Sequence, residues 1–344
     1  MKNIKPKLFA TLCILQFTCV KSVAQPEARE TAILCYSPTM HAMLLFDGYA
    51  IRPANGRNSV WKWNGVKWEE IDAEGPKTKT LSSGGFDTKK NVAVIFGGIG
   101  PKGYDELTGD TWMFDGNQWS KINTNNIDTR DHHKMVYASH LDAFVLYGGI
   151  NSQRKNDSTT WILKNGIWDS LKIPGPGARF HFGMAYDASR KKVVLYGGYN
   201  GISLNQDTWE FDGNKWEKIN VEGPGPRGRS VMTYDPDKKM VILRGGDVWK
   251  KKVDTSVNKD GEVWDVRGDT WGWDGMRWTK IADGGPARML MALGYDEGRH
   301  VLVAYGGGDE FHYADTWELK GSQWKKVEDN GKWKWDNGLK KVSN

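Results

Sequence analysis

The chain has 344 residues, 39% of them hydrophobic and 26% charged, with a formal charge of +6. That balance excludes a membrane-embedded protein, and an aromatic share of 12% argues against disorder. Eighteen Trp and 41 Gly against only 12 Pro require many turns and many packed indoles, which points to an all-β fold.

The first element is residues 1–24. Lys2, Lys5 and Lys7 precede the short apolar stretch Leu8 to Phe17, and Ser22-Val23-Ala24 places small residues at the −3 and −1 positions of a cleavage site. This is the three-part pattern of a secretory signal, so the chain is expected to be exported to the periplasm, the cell surface or the medium. The alternative is a membrane anchor, with Cys19 as a point of lipidation. These 24 residues hold four lysines and no acid, so the chain beyond them carries only +2. Its basic residues are also spread out, which gives no reason to expect nucleic acid. Cys13 and Cys19 leave with the signal and Cys35 remains alone, so no internal disulfide can form.

From residue 25 onward one pattern recurs. A Tyr-Asp-like pair leads into an apolar run ending Gly-Gly, then Asp-Thr-Trp, an aromatic, Asp-Gly and a second Trp. The clearest copy is Tyr186-Asp187, Val193 to Gly198, Asp207-Thr208-Trp209, Phe211-Asp212-Gly213 and Trp216. The first tryptophans are Trp61, Trp112, Trp161, Trp209, Trp271 and Trp317, and the second follows seven residues later each time, at Trp68, Trp119, Trp168, Trp216, Trp278 and Trp324. The leading aromatics are Tyr36, Phe86, Tyr137, Tyr186, Tyr234 and Tyr295, a period of about 50 residues. The first copy is worn: Asp47-Gly48 stands for Gly-Gly, and Ser59-Val60-Trp61 for Asp-Thr-Trp.

Each copy divides into four short β-rich runs. In the fourth these are residues 180–186, 192–196, 208–211 and 215–219, with Asp212-Gly213 as a hairpin turn. Six copies sharing the Gly-Gly, the Trp spacing and their order resemble the kelch-repeat family over nearly all of residues 25–327. That resemblance implies a six-bladed kelch β-propeller with four antiparallel strands per blade. The twelve repeat tryptophans are then inter-blade packing. Residues 328–344, with Trp333-Lys334-Trp335 echoing Trp61-Lys62-Trp63, form a tail that is a closing strand, a half-blade or a frayed end.

Positions shared by all blades report on the fold, and departures point to function. Seven residues before each leading aromatic stands a basic residue: Arg29, Lys79, Arg130, Arg179, Arg227 and Arg288. They either ring one channel mouth as an anion site or pair with loop acids such as Asp110, Asp207, Asp269 and Asp315. Two positions on, the blades diverge to Thr31, Leu81, His132, His181, Arg229 and Leu290. Strand alternation puts these on the same face as the basic ring, so His132, His181 and Arg229 should share one sector. The loops after Gly-Gly vary most. Blade five carries an insertion from Asp247 to Gly268 with Trp249 and Trp264, and blade six has Asp309, Glu310 and His312.

Other motifs carry less. Gly98 to Gly103 matches a dinucleotide fingerprint but leads into a strand instead of the helix that binds pyrophosphate. A metal held by His132, His181 and His312 with Asp309 or Glu310 would have to gather ligands from separate blades, so no metal and no cofactor is expected. Copper radical oxidases of the kelch type need a Cys–Tyr cross-link and added domains that this chain does not match. The expectation is therefore an exported, monomeric binding module that takes a carbohydrate or protein ligand at the channel mouth. Arg130, His132, Arg179, His181, Arg227, Arg229, Trp249, Arg288 and His312 are the contact candidates. One alternative is a sugar epimerase or mutarotase similar to the kelch N-acetylneuraminate epimerases, using His181 with Asp309 or Glu310 as acid and base. The other is an extracellular scaffold for protein partners.

Overall fold

The computed structural model describes residues 25–50, 59–77, 79–100, 102–124, 127–251, 262–334 and 340–342. The leader 1–24 and the middle of the blade-five insertion lie outside them. Six antiparallel sheets are each built from one continuous stretch of chain, with strands paired in sequence order. Blade four is Gly183–Asp187, Lys192–Tyr196, Thr208–Phe211 and Trp216–Ile219. Three of its strands fall within a residue of expectation. The innermost starts three residues late, because the backbone turns out of the strand at His181, whose φ is 57°.

The apolar runs before Gly-Gly form the second strand of each blade. Residues such as Val145, Leu195 and Val303 are fully buried there. The core is six separate clusters, one per joint between neighbouring blades. Val145, Tyr147, Met184, Leu195 and Trp216 make the joint of blades three and four. A single blade cannot bury both faces of its sheet; a ring of blades covers both.

The second tryptophan of each blade crosses its joint. Its indole N–H donates to a threonine of the preceding blade: Trp168 to Thr111 at 3.1 Å, Trp216 to Thr160 at 2.8 Å, Trp278 to Thr208 at 2.9 Å and Trp324 to Thr270 at 3.0 Å. The ring closes in the same way, with Trp68 donating to Thr316 at 2.8 Å. No strand is exchanged between the first and last blades among the described residues. Gln25 and Asn330 also meet across that joint, at 3.3 Å. The worn copy leaves one gap. Val60 occupies the threonine position, and the buried Trp119 Nε1 finds no acceptor.

The Asp-Gly hairpins behave as their chemistry dictates. Gly213 has a φ of 104°, and the Asp212 carboxylate accepts the N–H groups of Asn214 and Lys215 at 2.8 and 3.0 Å. At the end of the chain, the outer strand of blade six runs over Gln323–Lys334, past residue 327, and Lys340–Val342 pairs with its outer edge. The tail is thus a fifth strand on blade six.

Candidate functional site

The basic ring faces into the protein. Arg130, Arg179, Arg227 and Arg288 are 1–5% exposed. Each sends one N–H to the carbonyl of the first Gly of its own Gly-Gly pair, at 2.9–3.3 Å. Arg179 and Arg227 fork onto Asp207 and Asp269 at 2.8–3.2 Å, and Arg288 onto Asp315 at 2.5 and 2.8 Å. In blade three, where the Asp-Thr-Trp acid is missing, Arg130 reaches Asp157 at 3.4 Å instead. These guanidiniums tie the entry of each inner strand to the rest of its blade, and a ligand could reach them only by displacing those partners. The pairing with loop acids is the arrangement observed, and the four arginines leave the candidate ligand set for that reason.

The divergent row two residues on is not a strand face. Thr31, Leu81, His132, His181, Arg229 and Leu290 all have φ between 54° and 59°, the left-handed region. There the backbone bends toward the axis and neighbouring blades bond directly. The N–H of Thr31 donates to Leu290 O at 2.9 Å, His132 to Leu81 O at 3.1 Å, Arg229 to His181 O at 2.7 Å, and Leu290 to Arg229 O at 3.0 Å. Leu81 N–H bonds the Thr31 hydroxyl at 3.2 Å. The result is a belt that narrows this end of the channel.

His132, His181 and Arg229 do converge in the belt. The two imidazoles meet edge-to-face with centroids 4.4 Å apart. His132 Nδ1 lies 2.5 Å from the buried Asp131, and Arg229 Nε lies 3.2 Å from Asp247. Burial, aided by His132, Arg229 and Lys134, holds the His181 imidazole well below its ordinary pKa, so it is neutral. Burial likewise raises Asp247 to about 6, against the pull of Arg229. Beneath the belt lies a pocket of only about 30 Å³, lined by all six belt residues together with Lys134 and Ser230.

The remaining candidates lie elsewhere. Asp309 accepts the Tyr313 hydroxyl at 3.0 Å and the Phe311 N–H at 2.7 Å, while Glu310 is exposed. Both belong to the blade-six loop, two blades from His181, and the structure does not bring an acid–base pair together there. His312 Nδ1 is 3.1 Å from Glu30, joining blade six to blade one. The strand Asp247–Lys251 forms a separate hairpin with Glu262–Val266, and the Trp249 side chain lies outside the described residues. Among the described residues no three of His, Cys, Asp or Glu are grouped as a metal site.

A larger space adjoins that pocket. A cavity of about 340 Å³ follows the axis between the six innermost strands. Its far end is lined by Tyr36, Tyr186, Tyr234 and Tyr295 and by the turn residues Thr88, Ser139, Ala188 and Glu297. Those four turn residues are exposed, so the cavity opens there. Cys35 lines the wall, and burial raises its thiol to about 12, which leaves it protonated and unreactive. Lys134 stands at the waist and lines both cavity and pocket; burial lowers its ammonium to about 8. Sequence reasoning passed over Lys134, although the signal was available. Three residues before the leading aromatic the blades read Ile33, Ser83, Lys134, Gly183, Val231 and Ala292, and only one is charged.

Six antiparallel blades around a central axial channel define a β-propeller. The chain belongs to the kelch-repeat family: the model of the KLHDC2/KLHL20/DRC7 Kelch-repeats domain matches residues 132–336. Among solved structures, that of YjhT superposes with a TM-score of 0.68 at 14% identity, covering 88% of this chain and 98% of that chain. At that identity the likeness speaks for the fold. No curated protein matches the chain.

Proposed function

We propose that this propeller is a binding module that takes a small polar ligand, such as a sugar, end-on into its axial channel. The observation that carries this reading is the cavity of about 340 Å³, nearly closed at the belt and open at the tyrosine-lined end. The inner edges of six strands offer backbone donors and acceptors along its walls, and the tyrosines add flat faces and hydroxyls at the mouth. Residues 1–24 would direct the module out of the cytoplasm. Binding is favoured over turnover because Asp309 and Glu310 sit on an outer loop, away from His181.

The test is thermal unfolding of the full-length protein against neutral sugars, sugar acids and short peptides. A ligand at about a hundred times its dissociation constant should add roughly 2.7 kcal/mol. That shift should vanish in Thr233→Phe, which fills the channel wall. A shift that survives the substitution would place the ligand outside the channel. Silence across the panel would overturn the small-ligand reading and favour a protein partner on the variable loops.

A further inference from the structure

The residue that follows the expected cleavage point is a glutamine. Removal of residues 1–24 would give Gln25 a free α-amine. The residues next to it are fastened into the joint of blades six and one. The Tyr305 hydroxyl donates to Pro26 O at 2.7 Å and lies 3.0 Å from Glu27 O, and Ala28, 2% exposed, belongs to the core cluster of that joint. Pro26 restricts the backbone of Gln25 as well as its own. Gln25 is thus held against the outer strand of blade six.

Two polar side chains of that strand, Gln323–Lys334, bracket the Gln25 amide. Asn330 Nδ2 donates to Gln25 Oε1 at 3.3 Å. Glu328 meets the same amide: burial raises its carboxyl above the ordinary value, and the hydrogen bond from Gln25 pulls it back. Its Oε2 is enclosed and has no hydrogen bond. A donor on the carbonyl oxygen draws electron density from Cδ, and a carboxyl beside the amide nitrogen can hand it a proton as it leaves. Expulsion of an amide nitrogen needs both.

We propose that Gln25 is a modification site, where the freed chain closes its first residue into a pyroglutamyl lactam with the help of Asn330 and Glu328. This rests on the export reading above, in which residues 1–24 are removed. The α-amine nitrogen attacks Cδ of its own side chain, so an N–Cδ bond forms and the Cδ–Nε2 bond breaks. Asn330 steadies the charge that gathers on Oε1. Glu328 gives Nε2 the proton with which it departs as ammonia, and regains through water the proton that the attacking nitrogen sheds. No oxidant or second substrate is consumed. The lactam keeps a carbonyl for Asn330 and an N–H for Glu328, and the joint is left without a terminal charge.

The test is a time course of mass. The full-length chain is produced in a secreting host, the exported protein is collected at once, and its N-terminal peptide is weighed and fragmented at intervals. The expected product begins at residue 25 and lacks one ammonia, with the loss located in that residue. Closure should run faster in the folded protein than in denaturing urea. Glu328→Gln should slow it by about a hundredfold, Asn330→Ala should also slow it, and Gln25→Ala should abolish the loss. A chain that starts at another residue, or at a Gln25 that stays unmodified, overturns the lactam and leaves the export reading standing. A chain that keeps residues 1–24 overturns both. Closure as fast in urea as in the folded wild-type protein overturns the part played by Asn330 and Glu328, and that comparison does not depend on how well the variants fold.

Discussion

At the scale of single residues, the joints between blades are set by one repeated bond, the indole N–H of the second tryptophan to a threonine of the preceding blade. Five joints have it, and the joint of blades one and two does not, because Val60 replaces the threonine and strands Trp119 Nε1. Val60→Thr keeps the branched shape of the side chain and supplies the missing acceptor. It should raise stability by about 1 kcal/mol in urea unfolding. The reciprocal change, Thr160→Val, should cost about 1–3 kcal/mol by orphaning the Trp216 N–H. Both the tryptophan spacing and the wear of blade one were legible in the sequence. The direction of the bond was not, because spacing says which residues recur and nothing about which neighbour they face.

At the scale of elements, the belt shows where periodic reasoning stops. Alternation holds only while the backbone stays extended, and at Thr31, Leu81, His132, His181, Arg229 and Leu290 it does not. Two residues after each buried basic residue the chain turns left-handed, which resets the facing. The arginines therefore point inward and the belt residues meet at the axis. A left-handed conformation costs a residue with a Cβ about 1–2 kcal/mol, and glycine escapes that cost. Leu290→Gly should accordingly be more stable than Leu290→Ala by about 1 kcal/mol, the reverse of their order in a regular strand. Chemical denaturation of the two variants checks this, and an alanine variant as stable as the glycine one would mean the belt is unstrained. The four-strand blades themselves were readable because each has its own β-rich run and turn; in blade four only the strand that enters through the belt was misjudged by more than a residue.

At the scale of the whole molecule, the channel is a blind tube with a lysine near its base. Burial holds Lys134 at about 8, below its ordinary value of 10.5, while the His133, His181, His132 and Arg229 side chains lie beside it. Above pH 8 the native state has released a proton that the unfolded chain still binds, so stability should rise with pH. The rise should total up to about 3 kcal/mol and end near pH 10, where tyrosines of the unfolded chain ionise ahead of buried ones such as Tyr196. Lys134→Met should flatten that slope in urea titrations between pH 7 and 10. Which end of the tube is open could not be read from the chain. It depends on six backbone turns acting together, and each turn alone looks like an ordinary strand start.

The seam between the last and first blades is built from the same parts as the other joints: a tryptophan crossing to a threonine, with aliphatic packing around it. The ring therefore has no privileged beginning. Rotating the order of the blades along the polypeptide, so that another blade came first, would preserve these contacts. The linear order of the repeats is a property of the gene, and the folded object has six-fold connectivity without a first member.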